Sequence, residues 1–510
     1  MAFISKLFKK IDEKKENKEK KTEIPDDATL TSSLKKNISM LKSVFSDVDT
    51  VQYREIEGGE GNHKFCVVFN DGVVDAQIMD EYILKPIMQY TGEVTVDNII
   101  NRVVQINSVK KISDFKTIIE SVSYGDCILL LEGAKAAILM DTKGFFVRSI
   151  EEPDGEKVLS GPREGFCEAL LINLSLLRRK IRSNQLKFKY LSIGKQTSTQ
   201  LCIAYMDNIV DKELLEKLEE RLKSINIDSI LDANYIEELI TDKPFSMFRS
   251  IGSTERPDII AAKLLEGRLA VFIDGTPVVL TLPYLFIENF QSNEDYYMNF
   301  YYSSFSRLLR IMGFFLTLTV PALYISIVAY HQEMLPTNLM INIATDSHNV
   351  PLPAALESLI LLMMFDILRE TGVRMSSRVG QALSIVGALV VGQAAVEAKL
   401  VAAPMLIIVA LTGITSLLIP KMNTSVIFIR IMILLLTSCL GLLGFVMGAS
   451  ITLIDILALR SLGISQMTRD DRYSNQSNKD SLLRMPWQTM KSRPNFLTGN
   501  KNRMEGGGPS

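Results

Sequence analysis

Residues 311–330 read IMGFFLTLTVPALYISIVAY, which is 20 consecutive positions without a charged side chain. A helix needs about 20 apolar residues to cross the ~30 Å hydrocarbon core of a bilayer, so this stretch predicts a membrane-spanning helix. Arg307 and Arg310 precede it, whereas residues 331–350 contain no lysine or arginine. Because positive charge is retained on the cytoplasmic side, the chain before this helix is expected in the cytoplasm.

Apolar residues are distributed unevenly on the two sides of this helix. In the chain of 510 residues, charged residues are frequent up to Arg310, and long uncharged runs follow as far as Leu459. The predicted fold class is an α/β cytoplasmic N-terminal region of two small subdomains, followed by an all-α polytopic membrane domain. The predicted division is a flexible charged tail at 1–45, α/β subdomains at 46–160 and 161–245, a linker and hairpin region at 246–306, the membrane domain at 307–460 and a polar basic tail at 461–510.

Composition disfavours several classes of function. The net charge is −2, and the three histidines and five cysteines are scattered along the chain. Neither nucleic-acid binding nor a metal cluster is predicted from such a composition. No glycine-rich phosphate loop follows a strand, and no nucleophile, base and orienting group occur together. We therefore expect no metal, no cofactor and no enzymatic activity.

Short β-branched strands alternate with helical stretches before residue 245. KFCVVFN at 64–70 and QLCIAYM at 200–206 are typical of strands, and AQIMDEYILKPIMQY at 76–90 is typical of a helix. DKELLEKLEERLKSI at 211–225 predicts an exposed helix with Asp211 as its N-cap.

Two motifs lie between these subdomains and the membrane helices. Asp274 and Gly275 separate the apolar runs LAVFI and PVVLTLP, which predicts a hairpin whose tight turn needs glycine at positive φ. A polar cluster at the start of a predicted helix fits both a capping arrangement and a joint to the membrane part. We predict that the hairpin and this cluster couple the two domains. The cluster consists of Thr254, Glu255, Arg256, Pro257 and Asp258.

Residues 354–370, AALESLILLMMFDILRE, are apolar but carry acidic side chains. An ionisable group in a membrane segment costs roughly 2.5–3.5 kcal/mol, so such groups are expected to face a polar cavity or a partner. We favour a helix that lines a water-filled path, with an apolar constriction beside a ring of acids. The alternative is pairing of Asp366 with Arg369, or of Glu370 with Arg374. The candidate pore-lining residues are Glu357, Leu359, Leu362, Met363, Asp366 and Glu370.

Three further apolar runs follow, at Gly380 to Val396, Val401 to Ile419 and Val426 to Leu459. In the first, small residues recur every four positions and align on one face, which favours close approach by a helix of the same chain or of another copy. The membrane domain has five spans if 354–368 crosses, and four if it re-enters. We favour a cytoplasmic C-terminal tail. The small residues are Gly380, Ser384, Ala388 and Gly392.

Five motifs occur together in this order: TERPDIIAAKLLEGRLAVFIDGTPVVLTLP at 254–283, EDYY at 294–297, LPTNL at 335–339, RETGVR at 369–374 and VGALVVGQAAVEAKLV at 386–401. In this combination the sequence resembles the A subunit of bacterial spore germinant receptors, the GerA family. The likeness extends from residue 161 to residue 465, which is more than half of the chain.

This resemblance implies an inner-membrane protein of endospores with a two-part cytoplasmic domain. It implies partners as well: a transporter-like B subunit and a C-subunit lipoprotein, with which the protein senses nutrients. It further implies that A subunits form a homo-oligomer, a pentamer, that opens as an ion channel to start germination. Membrane lipid is an expected partner and nucleic acid is not. The alternatives are a non-conducting scaffold subunit, a stage V sporulation AF-type paralogue, or a secondary transporter, for which no internal repeat is found.

Overall fold

The structure, a computed structural model, describes residues 29–58, 63–144, 152–158, 160–348, 350–374, 392–467, 480–490 and 493. Its first subdomain is a five-stranded antiparallel sheet in the order β1-β2-β4-β5-β3. The strands are β1 (Val51–Gly58), β2 (His63–Asn70), β3 (Val109–Ile112), β4 (Cys127–Leu131) and β5 (Ala137–Met140). The helices are α1 (Leu34–Val44), α2 (76–89, with a π-helical turn at Asp80–Leu84), α3 (Val96–Arg102) and α4 (Phe115–Tyr124).

Both faces of this first sheet are covered by helices. Phe65 and Val67 of β2 face α2 and α3, whereas Cys66 and Val68 face α1 and α4. Because successive side chains of a strand point to opposite faces, a strand covered on both sides is apolar at every position. This explains the continuous apolar run of β2 that the sequence shows.

The second subdomain repeats this arrangement with a sheet in the order β6-β7-β9-β10-β8. Helices α6 and α7 cover one face of the sheet, and α5 and α8 cover the other. The strands are β6 (Leu186–Ile193), β7 (Thr199–Met206), β8 (Gly252–Thr254), β9 (Leu269–Ile273) and β10 (Val279–Leu282). The helices are α5 (Leu170–Lys180), α6 (Lys212–Ser224), α7 (Ala233–Ile240) and α8 (Pro257–Leu265).

Two predicted boundaries differ from the structure. The charged segment at 1–45 contains α1, which buries Leu34, Ile38 and Leu41 in the first subdomain. This helix was not predicted because its exposed lysines make the composition of the segment polar. The predicted linker at 246–306 contains β8, α8, β9 and β10, which complete the second sheet. The boundary at 245 therefore divides one subdomain, since β7 pairs directly with β9.

Helices predominate in the described residues from 300 to 457. Among the described residues, α9 and the segment Pro420–Leu440 are long and apolar enough to cross a membrane, and α12 and α14 are shorter apolar helices. The span predicted at 311–330 is the later part of α9. These helices are α9 (Phe300–Tyr330), α10 (Thr337–His348), α11 (Ala354–Arg374), α12 (Ala403–Leu417), α13 (Asn423–Leu440) and α14 (Leu442–Leu457).

The apolar stretch from Val426 to Leu459 forms two helices, not one. Gly441 separates α13 from α14 with φ 62° and ψ −136°, a backbone conformation that side chains disfavour. The start of α13 and the end of α14 lie in one apolar cluster, so the two helices form a hairpin. A Cβ atom at Gly444 would lie 2.0 Å from the carbonyl oxygen of Leu436. The hydropathy pattern missed this turn because it contains no polar residue.

After α14 the chain returns to the N-terminal domain. Arg460–Ser461 and Ile464–Ser465 form a short hairpin, and Leu462 between them is buried in the second subdomain. Ser461 Oγ accepts a hydrogen bond from the backbone N–H of Tyr284 at 3.0 Å. The beginning of the predicted polar tail is therefore packed, and it lies on the same side of the membrane helices as the N-terminal domain.

Candidate functional site

Arg256 lies at the centre of the polar cluster between β8 and α8. Its side chain is 1% exposed, and its guanidinium donates to both carboxylate oxygens of Asp258 at 3.1 and 2.9 Å. It also donates to the carbonyl oxygens of Glu156 at 3.2 Å and Pro162 at 2.7 Å. Arg256 is the N-cap residue of α8 and Pro257 its first residue, so the predicted helix start is confirmed.

Two residues of the same cluster contact a single carboxylate. The hydroxyl of Thr254 donates to Glu156 Oε2 at 2.5 Å, and the backbone N–H of Glu255 donates to the same oxygen at 3.1 Å. The carbonyl oxygen of Glu255 accepts from the backbone N–H of Phe166 at 2.7 Å. The cluster therefore joins the loop before α5 to the start of α8.

Asp258 extends the cluster toward the membrane helices. Its carboxylate accepts hydrogen bonds from the Tyr297 hydroxyl, at 2.7 Å, and from the Asn293 amide. Burial alone would raise the pKa of Asp258, but the hydrogen bonds from Arg256 and Tyr297 and the guanidinium charge hold this pKa below its ordinary value. Asp258 is therefore an ionised carboxylate with fixed partners.

The segment 293–297 that contacts Asp258 also contacts the first membrane helix. Asp295 accepts from Arg307 Nε at 2.9 Å and from Arg310 Nη2 at 2.7 Å, and both arginines belong to α9. Arg307 also pairs with Asp480 of the C-terminal segment at 2.9 Å. A continuous set of polar contacts thus runs from the N-terminal domain to α9.

The predicted hairpin around Asp274 and Gly275 is confirmed by the antiparallel pairing of β9 with β10, and Gly275 has a φ of 90°. The contacts of its turn lie within the second subdomain. Asp274 Oδ1 accepts from the backbone N–H of Leu170 at 3.1 Å, and the N–H of Gly275 donates to Glu168 at 2.8 Å. These contacts stabilise the second subdomain.

The candidate pore-lining residues of α11 point in several directions. Glu357 and Leu362 are 3% exposed and face the interior of the same chain, where Leu362 packs against α9 and α12. Leu359 and Asp366 are half-buried at the sides of the helix. Met363, which is 53% exposed, and Glu370 lie on the outward face. The six residues therefore do not form a single surface.

The two buried or half-buried acids of α11 have partners in the same chain. Glu357 Oε1 accepts from the backbone N–H of Ala402 at 2.6 Å, directly before α12. Asp366 Oδ2 accepts from Arg430 Nη2 of α13 at 2.6 Å, and Asp366 also pairs with Arg369 at 3.3 Å. Both acids hold α11 against neighbouring helices.

The predicted ladder of small residues lies mostly outside the described part of the chain, which includes Gly392 but not Gly380, Ser384 or Ala388. A Cβ atom on Gly392 would lie 3.2 Å from Leu406 Cδ1 of α12. At this position, therefore, the close neighbour is a helix of the same chain.

A cavity of about 410 Å³ lies where the second subdomain, residues 284–297 and the C-terminal segment meet. Its wall includes the carboxylate of Glu288, which accepts from both Lys263 and Arg268. Burial would raise the pKa of Glu288, but the charges of Arg268 and Lys263 lower it below its ordinary value. Trp487 of the C-terminal segment also lines this cavity.

Sequence reasoning missed Asp295, Arg307, Arg430 and Asp480 as members of the site. A sequence signal existed for Arg430, because an arginine in an apolar helix requires a buried acidic partner, and Asp366 was the available acid. No short-range signal connects Arg307 with Asp480, since they are far apart in the chain. Within the described residues, no group of three or more histidine, cysteine, aspartate or glutamate side chains could hold a metal ion.

A family sequence profile described as "Bacillus/Clostridium GerA spore germination protein" matches residues 39–496. The chain belongs to the GerA family. Among the similar members is spore germination protein KA of Bacillus subtilis (strain 168), 38% identical over 92% of this chain and 87% of that protein. Another is "Uncharacterized membrane protein YfkQ" of the same strain, 37% identical over 93% of both chains.

The GerA family also has a member of solved structure that is similar to this chain. It is the N-terminal domain of the A subunit of the Bacillus megaterium spore germinant receptor GerK3, which is 28% identical. The match covers 51% of this chain and 98% of that one, with a TM-score of 0.39. Family membership rests on the sequence matches, and it identifies this chain as a membrane-associated germination protein.

Proposed function

We propose that this protein is the A subunit of a nutrient-sensing spore germinant receptor, and that its copies assemble into a ligand-gated ion channel in the spore inner membrane. Membership of the GerA family supports the germination role. In this proposal the N-terminal domain and the C-terminal segment lie in the cytoplasm. The partners are other copies of the chain in a ring, such as a pentamer, a transporter-like B subunit, a C-subunit lipoprotein and membrane lipid.

The observation that supports the channel best is the outward face of α11. Its apolar side chains recur at helical spacing, are each between 46% and 58% exposed, and are followed by Glu370. With 21 residues the helix is about 32 Å long, enough to cross a bilayer. Five charged residues nevertheless make it a poor candidate for a helix surrounded by lipid. The apolar side chains are Leu356, Ile360, Met363 and Ile367.

A ring of copies would bring this face of α11 to a common axis. Ile360, Met363 and Ile367 would then form an apolar neck, and an apolar neck closes a pore by excluding water. The carboxylates of Glu370 would form a ring beside the neck and attract cations. In this arrangement Leu362 and Glu357 support the helix from behind and do not touch the permeating ion.

The polar contacts around Arg256 would couple the N-terminal domain to this pore. A shift of α8 changes the position of Asp258, and Asp258 shares the segment 293–297 with Arg307 and Arg310 of α9. Rigid elements joined by such ion pairs carry displacement between domains. The turn at Asp274 and Gly275 contributes indirectly, by stabilising the second subdomain.

A second candidate function is a non-conducting scaffold subunit of the receptor complex. It is favoured by the intrachain partners of Glu357 and Asp366, because acids with structural partners need no water-filled path. In a scaffold, the outward face of α11 would bind another membrane protein of the receptor instead of lining a pore.

Reconstitution separates these functions. Purified protein, alone and with its B and C subunits, is placed in liposomes, and ion flux is recorded with and without nutrient, while the symmetry of the particles is determined by electron microscopy. A ring with nutrient-dependent flux is expected, and Glu370→Gln should lower its preference for cations. A complex without flux under any of these conditions would support the scaffold, and saturable solute flux would indicate a transporter.

A further inference from the structure

The loop between α7 and β8 presents apolar side chains to the surroundings at the base of the membrane helices. Residues 243–249 read KPFSMFR. Phe245 is 100% exposed and Met247 is 43% exposed, whereas Phe248 is buried. A large aromatic side chain that is fully exposed to water is unfavourable, so an occupant of this surface is expected.

The position of the loop identifies that occupant. Ser246 Oγ donates to Asp455 Oδ2 of α14 at 3.1 Å, so Phe245 lies one residue away from a contact with the last turn of a membrane helix. Phe248 packs in the same cluster as Ile456 and Leu459, and its ring meets that of Phe286 at 5.5 Å. These contacts fix the loop against the end of the helical hairpin.

The surface of α14 beside this loop is apolar and exposed. Leu453, Ile454 and Leu457 are 56%, 66% and 55% exposed. In a membrane protein these side chains contact lipid. The contact between Ser246 and Asp455 places the exposed loop beside this end of α14.

Basic residues occur in the same loop and directly after α14. Lys243 precedes Phe245 in the loop, Arg249 follows it and also pairs with Glu237 at 3.9 Å, and Arg460 follows α14; all three are exposed. Aromatic side chains are enriched at the headgroup level of bilayers, and lysine and arginine near the surface are attracted to anionic lipid. Aromatic and basic residues at the end of a membrane helix form the pattern of an interfacial anchor.

We propose that the loop 243–249 is a lipid-binding anchor that inserts Phe245 and Met247 into the headgroup boundary of the leaflet on the side of the N-terminal domain. Lys243, Arg249 and Arg460 would bind anionic phospholipid headgroups around it. The anchor would hold the second subdomain at a fixed height against the membrane, next to the contacts of Arg307 and Asp295. The proposal requires a membrane-embedded chain but not a conducting pore.

Tryptophan fluorescence tests this directly, because the chain has one tryptophan. In the full-length protein with Trp487→Phe, Phe245→Trp is introduced and the protein is reconstituted in vesicles of brominated phosphatidylcholine, with or without brominated phosphatidylglycerol. Leu231→Trp is the matched control, since Leu231 is 64% exposed in the same subdomain and precedes α7, whereas the loop 243–249 follows the other end of that helix.

At position 245 we expect emission shifted to shorter wavelength and quenched by bromines near the headgroup, more strongly by phosphatidylglycerol than by phosphatidylcholine. Lys243→Gln should reduce that difference between the two lipids, because it removes one of the three basic side chains. The control at position 231 should remain unquenched. If the tryptophan is quenched at neither position, the proposal is overturned. It is also overturned if emission at position 245 is shifted to shorter wavelength but not quenched, because another copy of the chain would then cover the ring.

Discussion

Asp366 of α11 and Arg430 of α13 form an ion pair inside the membrane domain, with Oδ2 of the carboxylate 2.6 Å from Nη2 of the guanidinium. The side chain of Arg430 is 1% exposed. A buried charge is tolerated among apolar helices only when it is paired and hydrogen-bonded. The pair therefore fixes the packing of α11 on α13 within one chain.

Asp366→Asn should destabilise the protein strongly, because it leaves Arg430 buried without a counter-charge. Breaking a buried pair in this way costs about 3–5 kcal/mol. The thermal unfolding midpoint in detergent should fall, and the double variant Asp366→Leu with Arg430→Met should recover part of the loss. Glu370→Gln on the exposed face of the same helix is the control and should lower the midpoint far less. Equal midpoints for Asp366→Asn and Glu370→Gln would contradict the prediction.

Glu357 should matter as a hydrogen-bond acceptor more than as a charge. Its Oε1 accepts the backbone N–H of Ala402 at 2.6 Å, which satisfies a donor at the start of α12. Glu357→Gln keeps an acceptor oxygen, whereas Glu357→Leu leaves that N–H unsatisfied at a cost of about 1–3 kcal/mol. The thermal unfolding midpoints of Glu357→Gln and Glu357→Leu in detergent test this prediction. A larger decrease for Glu357→Gln than for Glu357→Leu would contradict it.

Gly392→Leu should destabilise a single chain, whatever it does to assembly. A Cβ atom at this position would lie 3.2 Å from Leu406 Cδ1, so a leucine side chain would crowd α12. We expect overpacking to lower the free energy of unfolding by about 1–3 kcal/mol and to reduce the yield of protein, with a smaller effect for Gly392→Ala. Unfolding measurements test this stability change, and native mass spectrometry tests whether the variants still oligomerise. A stable Gly392→Leu chain that fails to oligomerise would show that Gly392 faces another copy.

The division into two α/β subdomains and a helical membrane domain could be predicted from the sequence because apolar periodicity is a local property. KFCVVFN and QLCIAYM form strands, and Asp211 caps its helix, accepting the backbone N–H of Glu213 at 3.0 Å. Pairing between distant strands is not local. For this reason the boundary predicted at 245 divided the second sheet.

The candidate site was less predictable, since it depends on which face of each helix is covered. Leu362 and Met363 are both predicted from the sequence to line the pore, but they are adjacent residues, about 100° apart around a helix with 3.6 residues per turn. The neighbouring α12 covers Leu362 and leaves Met363 exposed. Nothing in the segment 354–370 itself indicates where α12 packs.

Asp258 should make the stability of the protein depend on pH in the acidic range. Burial opposes its ionisation, but hydrogen bonds from Arg256 and Tyr297 and the guanidinium charge lower its pKa in the folded state. The unfolded chain therefore takes up the proton first as pH falls, near pH ~3.9. The contribution of Asp258 is complete above this pH and is lost as pH falls through the lower, folded pKa.

In Asp258→Asn this contribution is absent at every pH, so the variant should be less stable than the wild type at pH 7 and should differ from it less at pH 3. The difference in free energy of unfolding between the two proteins should decrease by at most about 1.4 kcal/mol for each unit by which the pH falls, because one proton is involved. Unfolding midpoints of the full-length protein in detergent between pH 3 and pH 7 measure it. Asp97→Asn, which removes an exposed ion pair with Lys111, is the matched control. A gap that stays constant over this range would exclude the prediction.

Met363 and Leu362 provide the sharpest test of the proposed pore, because they are neighbours with opposite surroundings. Leu362 is 3% exposed and packs against Met405 and Ile325, so Leu362→Ala should cost about 2–5 kcal/mol of stability. Met363 is 53% exposed, so Met363→Ala should leave the fold and the abundance of the protein unchanged. If Met363 forms the neck, its shortening widens the closed pore and admits water.

Reconstituted Met363→Ala should therefore conduct ions without nutrient, whereas Met363→Leu, which replaces the side chain with a branched one of similar volume, should keep the closed state sealed. Ion flux into liposomes, normalised to the amount of folded protein, is the measurement, and Leu362→Ala at the same normalisation should not leak. Leu453→Ala, on the exposed lipid-facing side of α14, controls for the loss of an exposed side chain alone. If Met363→Ala shows no more ion flux without nutrient than the wild type, while nutrient still induces flux through both proteins, the apolar neck is formed by other residues. If leak appears in Leu362→Ala alone, α11 rotates its buried face toward the axis in the assembled receptor.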